Sequence, residues 1–298
     1  MTPFKIAIAS GKGGTGKTTV SVNLSYFLSK HITNSIQLVD CDVEEPNDAL
    51  FFPKAPLTST KEVTQLIPFI DTEKCTFCRK CAEYCEFNAI VVLPTAKFAQ
   101  VNASLCHSCG ACLHACEFDA ITENPEPIGK IRALDNGIGS GLVEGRLNIG
   151  SAMQTLLIRE LKSEVSSNSK IIIYDAPPGT SCPVVETIAG TDYIILVTEP
   201  TPFGLHDLKL TVDLLKDIKK PFGVVVNKAG LGNSDVFNFL KTENIELLGE
   251  LPFEKSYAKK YASGKLLEGV SPEIEARYMK IIDKIAKRID EHDRDNNS

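Results

Sequence analysis

Short runs of consecutive apolar residues, many of them β-branched, recur along the chain and alternate with amphipathic segments. We predict strands in these runs at 6–9, 36–40, 171–175, 193–198, 224–227 and 245–251. Because the runs lack a polar face, they are typical of parallel strands that are buried on both sides. Between two of them, the segment 203–219 places Leu205, Leu208, Val212 and Leu215 on one helical face. This alternation predicts an α/β fold with a doubly wound, mostly parallel sheet.

Composition adds one unusual feature to this prediction, the number of cysteines. The 298 residues are 43% hydrophobic and 23% charged, as in ordinary globular enzymes, and no apolar run reaches the roughly 18 residues of a membrane span. A net charge of −6 gives no electrostatic basis for binding nucleic acid. The first residues lack the features of a signal peptide, so we expect a cytoplasmic location. In that reducing compartment, ten cysteines indicate metal ligands rather than disulfides.

Eight of the ten cysteines form an internal repeat. Two runs share the spacing C-x2-C-x2-C-x3-C and are displaced by 31 residues: Cys75, Cys78, Cys81 and Cys85, then Cys106, Cys109, Cys112 and Cys116. Both runs end in Cys-Glu-Phe-x-Ala-Ile, which indicates a duplicated unit. Zinc sites usually combine two separated CxxC pairs, and three closely spaced ligands plus a fourth fit that arrangement poorly.

This spacing resembles that of bacterial-type ferredoxins, in which the fourth cysteine of each run binds the cluster of the other run. The resemblance implies a small inserted α+β domain at 66–126, with sub-repeats at about 66–95 and 97–126. It assigns two [4Fe-4S] clusters, one to Cys75, Cys78, Cys81 and Cys116, the other to Cys106, Cys109, Cys112 and Cys85. Ferredoxins usually have proline after the fourth cysteine, where this chain has Glu86 and Glu117. These acids either lower the cluster potentials or are solvated surface groups.

A glycine-rich loop follows the first predicted strand. Residues 11–19, Gly-Lys-Gly-Gly-Thr-Gly-Lys-Thr-Thr, match GxxxxGK[ST] at a strand-to-helix junction. The glycines let backbone N–H groups surround a phosphate at a helix N-terminus. In this motif Lys17 contacts the β- and γ-phosphates, and the Thr18 hydroxyl binds Mg²⁺. We therefore expect the nucleotide to be bound by Gly11, Lys12, Gly13, Gly14, Thr15, Gly16, Lys17, Thr18 and Thr19.

The second lysine of this loop, Lys12, makes KGGTGKTT resemble the deviant Walker A motif of the MinD/ParA/Mrp ATPases and the related nitrogenase iron protein. The resemblance covers a discontinuous ATPase domain at 1–65 and 127–298. It implies an ATP-dependent homodimer in which Lys12 contacts the phosphates of the partner and, with Lys17, acts in catalysis. On the loop alone, Lys12 also fits a solvated lysine, and further motifs decide between these interpretations.

These motifs lie at the ends of successive predicted strands. Leu-Val-Asp-Cys-Asp at 38–42 resembles switch I of the family, where Asp42 corresponds to the catalytic residue that orients the attacking water and Asp40 to an acid near Mg²⁺. Asp-Ala-Pro-Pro-Gly at 175–179 resembles Walker B and switch II, with Asp175 holding Mg²⁺ through water. A single acid of this kind is usually a surface group or a helix cap. Together, the acids indicate one site.

The base-binding residues also match the family. Asn227 corresponds to the residue that hydrogen-bonds the base, and Leu-Pro-Phe around Pro252 resembles the loop over the adenine. Guanine-binding proteins carry Asn-Lys-x-Asp, and this chain has Gly230 where that aspartate would be. ATP is therefore favoured over GTP.

Several features lie outside these motifs. Cys182 is interpreted either as a transient metal ligand across a dimer or, preferably, as a small buried thiol, and Cys41 as a packed small residue. The glycine-rich segment 127–150 is interpreted as a flexible loop returning from the insert. The apolar face at 274–289 is expected to pack on the sheet, because the acidic tail that follows would be repelled by anionic lipid. We expect no stable membrane insertion.

Three functions fit the sequence. The first is an ATP-gated redox protein that transfers electrons from its ferredoxin clusters to an unknown partner. The second is a carrier of iron–sulfur clusters or metal, related to the Mrp proteins and delivering to an acceptor protein. The missing C-terminal CxxC of such carriers weighs against it, whereas Cys182 supports it. The third is a positioning ATPase of the MinD/ParA kind, which is disfavoured because the chain has no basic surface or membrane helix.

Overall fold

The computed structural model describes residues 2–166 and 168–295, which form two units. The first unit comprises the chain up to Thr60, Ile131–Arg146 and the residues from Ile158 onward, and the second comprises Lys61–Lys130 and Leu147–Leu157. The second unit is thus larger than the predicted insert of 66–126. Met1, Ser167 and residues 296–298, which belong to the predicted ATPase domain, lie outside the described residues.

The strands follow the predicted apolar runs and add others. They are β1 Phe4–Ala9, β2 Ile36–Asp40, β3 Leu57–Ile70, β4 Ile90–Leu93, β5 Phe98–Val101, β6 Ile121–Leu134, β7 Leu142–Leu147, β8 Ile171–Asp175, β9 Tyr193–Thr198, β10 Phe222–Ala229 and β11 Leu247–Pro252. The helices are α1 Lys17–His31, α2 Lys80–Glu83, α3 Ala111–Ala115, α4 Gln154–Ser163, α5 Cys182–Ile188, α6 Pro202–Asp217, α7 Asp235–Thr242, α8 Lys255–Ala262 and α9 Pro272–Asp295.

The first unit is built on a parallel sheet with the strand order β11-β10-β9-β1-β8-β2-β7. β1 pairs in parallel with β8 and β9, and β2 pairs in parallel with β8 and β7. Every residue of β2, β8 and β9 is buried, as expected for strands that are covered on both faces. The predicted α/β fold with a mostly parallel sheet is confirmed.

Helices cover both faces of this sheet. Phe27 of α1 and Tyr278 of α9 lie in one buried cluster with Ile173 of β8. Ile172, the preceding strand residue, is equally buried but lies outside that cluster, because successive side chains of a strand point to opposite faces. Leu208 of α6 is likewise buried outside it. The predicted packing of the C-terminal apolar face in the core is therefore confirmed.

The prediction that 127–150 is a flexible loop is wrong, because β6 and β7 occupy most of it. Charged residues and the prolines at 125 and 127 interrupt the apolar positions of β6, which buries Ile128 and Ile131, so its sequence lacks a strand pattern. The turn between the two strands contains Gly139, where an added Cβ would lie 2.2 Å from the carbonyl oxygen of Ile36. Glycine there serves a close backbone approach rather than flexibility.

The second unit has a small core of its own. β4 and β5 pair as an antiparallel hairpin, and α2 and α3 occur 31 residues apart, as the sequence repeat does. Ile70, Ile90 and Val92 are buried together with Cys81 and Cys112, so two cysteines of the repeat belong to this core. β3 and β6, which are hydrogen-bonded neighbours, each have residues in both units.

Candidate functional site

The loop between β1 and α1 has the geometry that phosphate binding requires. Gly16 adopts a φ of +93°, and an added Cβ there would lie 2.1 Å from Nδ2 of Asn227, so this position needs glycine. A Cβ added to Gly13 or Gly14 would meet nothing within 4 Å, which leaves open space in front of the loop. The hydroxyl of Thr15 is buried and has no partner among the described residues. The loop therefore fits an anionic ligand that the protein itself does not supply.

Asp175, the last residue of β8, is the centre of the site. Its Oδ1 accepts hydrogen bonds from Nζ of Lys17 at 2.9 Å and from the Ser21 hydroxyl at 2.8 Å. Its Oδ2 accepts one from the Thr18 hydroxyl at 2.8 Å. Burial lowers the pKa of Lys17, but Asp175 and then Asp40 raise that pKa by more, so the net pKa is above its ordinary value. Lys17 is thus a fixed, buried cation at the start of α1.

Asp40, at the end of the adjacent strand β2, faces the same space. Its two oxygens accept hydrogen bonds from the backbone N–H groups of Asp42 at 3.0 Å, Asn47 at 2.8 Å and Asp48 at 3.0 Å. Burial and then repulsion by Asp175 raise the pKa of Asp40 to about 8, and burial raises that of Asp42 to about 6. Asp40, Asp48 and Asp175 offer three oxygens that lie within 4.8 Å of one another. Such hard oxygen donors suit Mg²⁺.

Lys12, at the start of the same loop, contacts a residue of its own chain. Its Nζ donates a hydrogen bond to Oε1 of Glu199 at 2.7 Å. Oε2 of Glu199 accepts a second hydrogen bond from Nζ of Lys228 at 2.9 Å. The Lys12 side chain retains 30% of its exposure, so it remains accessible to a ligand or a partner.

A pocket of about 210 Å³ opens beside the loop. Both predicted base-binding residues, Asn227 and Pro252, line it, together with the aromatic side chains of Phe253, Tyr257 and Tyr261. Nδ2 of Asn227 donates to the carbonyl oxygen of Thr15 at 2.7 Å, which fixes this amide against the loop. Aromatic walls with one polar amide are suited to a flat heterocycle such as adenine.

The cysteines of the second unit form two groups, and the fourth cysteine of each sequence run lies with the first three of the other run. Cys116 lines one pocket with Cys75, Cys78 and Cys81. In the other group, Cys85 and Cys109 interact electrostatically with Cys106, and Cys106 and Cys109 interact with Cys112. Burial raises the pKa of Cys112 to about 11. Burial thus favours the neutral thiol, and a bound metal would stabilise its thiolate.

The backbone of the two cysteine loops repeats as closely as the sequence. Three positions in each loop have positive φ values, and each position recurs 31 residues later: Phe77 and Ser108, Arg79 and Gly110, and Asn88 and Asp119. Non-glycine residues rarely adopt this region. Backbone N–H groups also point at sulfur in both loops, from Phe77 to Cys75 and from Ser108 to Cys106, each at 3.4 Å. These thiols and N–H groups fit a pair of iron–sulfur clusters of the same shape.

The remaining acids and thiols are placed as follows. Glu86 and Glu117 are exposed, which favours the surface interpretation, and Glu117 forms an ion pair with Lys80. Cys41 is fully buried, as expected. The preferred interpretation of Cys182 as a buried thiol is wrong, because it is exposed at the first residue of α5.

Three residues of the site were not predicted. Ser21 lies one helical turn after Lys17, so helical spacing alone would have identified it. Glu199 follows the end of β9 and obeys the same strand-end rule that identified Asp175. Asp48 belongs to no motif, and only the fold of residues 41–48 back onto Asp40 brings it into the site.

The chain is similar to nucleotide-binding proteins over most of its length. Residues 6–267 match the family model described as the CobQ/CobB/MinD/ParA nucleotide binding domain. An uncharacterized protein of Methanocaldococcus jannaschii is 32% identical over 93% of this chain and 96% of its own. An iron-sulfur cluster carrier protein of Pyrococcus abyssi is 26% identical over 97% of this chain and 87% of its own.

Solved structures show the same fold. The septum site-determining protein MinD complexed with Mg-ADP, from Pyrococcus horikoshii, superposes with a TM-score of 0.57 over 95% of this chain and 96% of that one. At 17% identity, this similarity supports the architecture of the sheet and helices alone. No helix among residues 2–166 and 168–295 is both long and apolar enough to cross a membrane.

Proposed function

Because this chain belongs to the CobQ/CobB/MinD/ParA nucleotide-binding family, we propose that it is an Mg²⁺-dependent ATPase whose ATP-driven dimer switch gates electron transfer from two [4Fe-4S] clusters to a partner protein. The observation that carries the ATPase half is the contact of Asp175 with both Lys17 and Thr18. The exchange of Cys116 into the group of Cys75 carries the cluster half.

The residues around Asp175 supply the parts of a phosphoryl-transfer site. Lys17 is held by Asp175 until a γ-phosphate provides a competing anion, and Thr18 is positioned to bind the Mg²⁺ that neutralises phosphate charge. Asp42 is half-buried beside Lys17 and Asp175. Its carboxylate orients the attacking water molecule and accepts a proton from it. Lys12 completes the site from the partner subunit of a homodimer. Asn227 and Pro252 bind the adenine.

The eight repeated cysteines hold the clusters. Cys75, Cys78, Cys81 and Cys116 bind one [4Fe-4S] cluster, and Cys106, Cys109, Cys112 and Cys85 bind the other, within an inserted ferredoxin domain. When bound, the clusters supply one-electron transfer. The exchanged ligands tie the two halves of the domain together, so each half contributes to both clusters. The backbone N–H groups of Phe77 and Ser108 donate to the sulfurs of Cys75 and Cys106 and so stabilise the thiolates.

A cluster carrier is the second candidate function. Exposed Cys182 favours it, since a thiol at the carboxyl edge of the sheet is available to a metal or cluster in transit. Relatives such as the Pyrococcus abyssi protein bear the name iron-sulfur cluster carrier protein. Eight cysteines already gathered in two groups favour resident clusters, so we place this function second.

The proposed function is tested on anaerobically purified protein. We expect about eight irons per chain, Mg²⁺-dependent ATP hydrolysis, and electron transfer from the reduced protein to an acceptor that changes when MgATP is added. Transfer of a cluster to an apo-acceptor that is lost in Cys182→Ser would instead establish the carrier function. Pelleting with liposomes or DNA in the presence of ATP would establish a positioning ATPase.

A further inference from the structure

Asp48 is a fully buried acid whose carboxylate receives no hydrogen bond from the described residues. Its exposed fraction is 0%, and neither of its carboxylate oxygens has a hydrogen-bond partner among the described residues. It begins the short 3-10 turn Asp48–Phe51, and its backbone N–H donates to Oδ2 of Asp40 at 3.0 Å. A buried, unpaired carboxylate is strongly unfavourable, so a ligand or a proton must balance it.

The side chain of Asp48 points into the space between two other acids. One oxygen each of Asp48, Asp40 and Asp175 lies within 4.8 Å of the others. Mg²⁺ binds oxygen ligands at about 2.0–2.1 Å, so two of its ligands are at most about 4.2 Å apart. Contraction of the three acids around an ion would bring these oxygens within its coordination distance.

The neighbouring acids also have lone pairs to spare. A carboxylate oxygen has about two lone pairs. On Asp175, Oδ1 accepts two hydrogen bonds but Oδ2 accepts one. On Asp40, Oδ2 accepts two but Oδ1 accepts one. Each of these residues thus keeps a donor site for a cation, and neither oxygen of Asp48 accepts a hydrogen bond from the described part of the chain.

Charge favours a divalent cation over a monovalent one. Among residues 2–166 and 168–295, Lys17 is the cation that contacts these acids, through Asp175, and three carboxylates against one ammonium leave two negative charges in excess. The half-buried Asp42 adds further negative charge nearby. Two charges of the same sign in a buried space require a doubly charged partner or two protons.

We propose that Asp40, Asp48 and Asp175 form a site that a divalent cation occupies in the absence of nucleotide. Asp48 is the ligand that this site adds to Asp40 and Asp175. The site deepens the proposed ATPase function, because the cation lies where a magnesium ion would meet the phosphates. It needs neither ATP nor hydrolysis, so it is testable even if the proposed activity fails.

The test is a titration of the nucleotide-free, chelator-treated holoprotein with Mn²⁺, in which the EPR signal of free Mn²⁺ reports binding. We expect one Mn²⁺ per chain in the wild type and at least a tenfold weaker affinity in Asp48→Asn. Asp217→Asn removes an exposed acid on α6 and should bind Mn²⁺ as the wild type does.

Thermal unfolding provides a second measurement that separates misfolding from lost binding. Without metal, Asp48→Asn should melt no lower than the wild type, because the amide removes an unbalanced buried charge. Mn²⁺ should raise the melting temperature of the wild type and of Asp217→Asn but not of Asp48→Asn. No Mn²⁺ binding by the wild type, or equal affinity in Asp48→Asn, would overturn the proposal and indicate protons shared among the acids instead.

Discussion

Nζ of Lys12 lies 2.7 Å from Oε1 of Glu199, so the lysine that is expected to cross a dimer interface is held by its own chain. Burial acts to raise the pKa of Glu199, but hydrogen bonds from Lys12 and Lys228 lower it by more. Glu199 is therefore an anion that competes with phosphate for Lys12. In the proposed dimer, Lys12 would have to leave Glu199 before it contacts a partner's nucleotide, so this contact would oppose dimer formation.

The first prediction concerns Lys12 itself. Lys12→Ala should bind ATP with nearly wild-type affinity but lose ATP-dependent dimerisation and hydrolysis, because the side chain acts on the partner's phosphates. Equilibrium binding, light scattering with MgATP and phosphate release measure the three properties.

Glu199→Gln is the matched variant, because it frees Lys12 from its ion pair. Freeing Lys12 from this partly exposed pair is worth about 0.2–1 kcal/mol in each of the two subunits, so it should raise the dimer association constant about two- to thirtyfold. Hydrolysis retained in Lys12→Ala would refute this role.

The second prediction concerns the buried pair of Lys17 and Asp175. Lys17→Met should abolish ATP binding and also destabilise the nucleotide-free protein by about 3–5 kcal/mol, because it leaves Asp175 as an uncompensated buried charge. Chemical unfolding and nucleotide titration measure the two effects. Adding Asp175→Asn to this variant should recover much of the stability but none of the binding. If Lys17→Met alone is destabilised but still binds ATP, Lys17 does not have the proposed role in binding the phosphates.

Sequence patterns predicted the parts of this molecule in which all neighbouring residues share the same surroundings, such as strands that are buried on both faces. The strands at 36–40 and 171–175 were predicted to the residue, because apolar side chains fill both faces of a buried strand. β6 was missed because charged residues and two prolines interrupt its apolar positions. Asp48 was missed because its position depends on how the chain folds after β2, and Cys182 because burial of a single thiol depends on the surface above it.

The third prediction concerns the cysteines. Cys109→Ser should lose the iron of one cluster, about half of the total, while ATP binding by the first unit remains measurable. Cys182→Ser should keep all its iron, because this thiol belongs to neither group of four. Iron analysis and nucleotide titration of both variants provide the comparison. If iron fell equally in the two variants, or stayed whole in Cys109→Ser, the assignment of ligands would have to be abandoned.

The fourth prediction concerns the potentials of the two clusters. Glu117, next to Cys116, is paired with Lys80, whereas the corresponding Glu86 has Ala111 at the equivalent position of the repeat. Lys80→Ala should lower the potential of the cluster bound by Cys116, because a nearby negative charge opposes reduction. A surface pair worth about 0.2–1 kcal/mol corresponds to about 10–40 mV for one electron.

The reciprocal variant of this fourth prediction is Ala111→Lys. The added lysine should raise the potential of the other cluster by a similar amount. Redox titration followed by EPR distinguishes the two clusters. Equal shifts of both potentials in either variant would show that charge acts on the whole domain rather than on the nearer cluster.

The central claim is that the ATP site and the clusters are coupled, and the reduction potentials of the clusters measure that coupling directly. The measurement is an anaerobic redox titration of the holoprotein, followed by EPR, with and without MgATP, with Lys17→Met as the control that cannot bind nucleotide. We predict that MgATP shifts the potential or the EPR spectrum of at least one cluster in the wild type and of neither in Lys17→Met. Identical spectra and potentials with and without MgATP, in protein that contains eight irons and hydrolyses ATP, would contradict the claim.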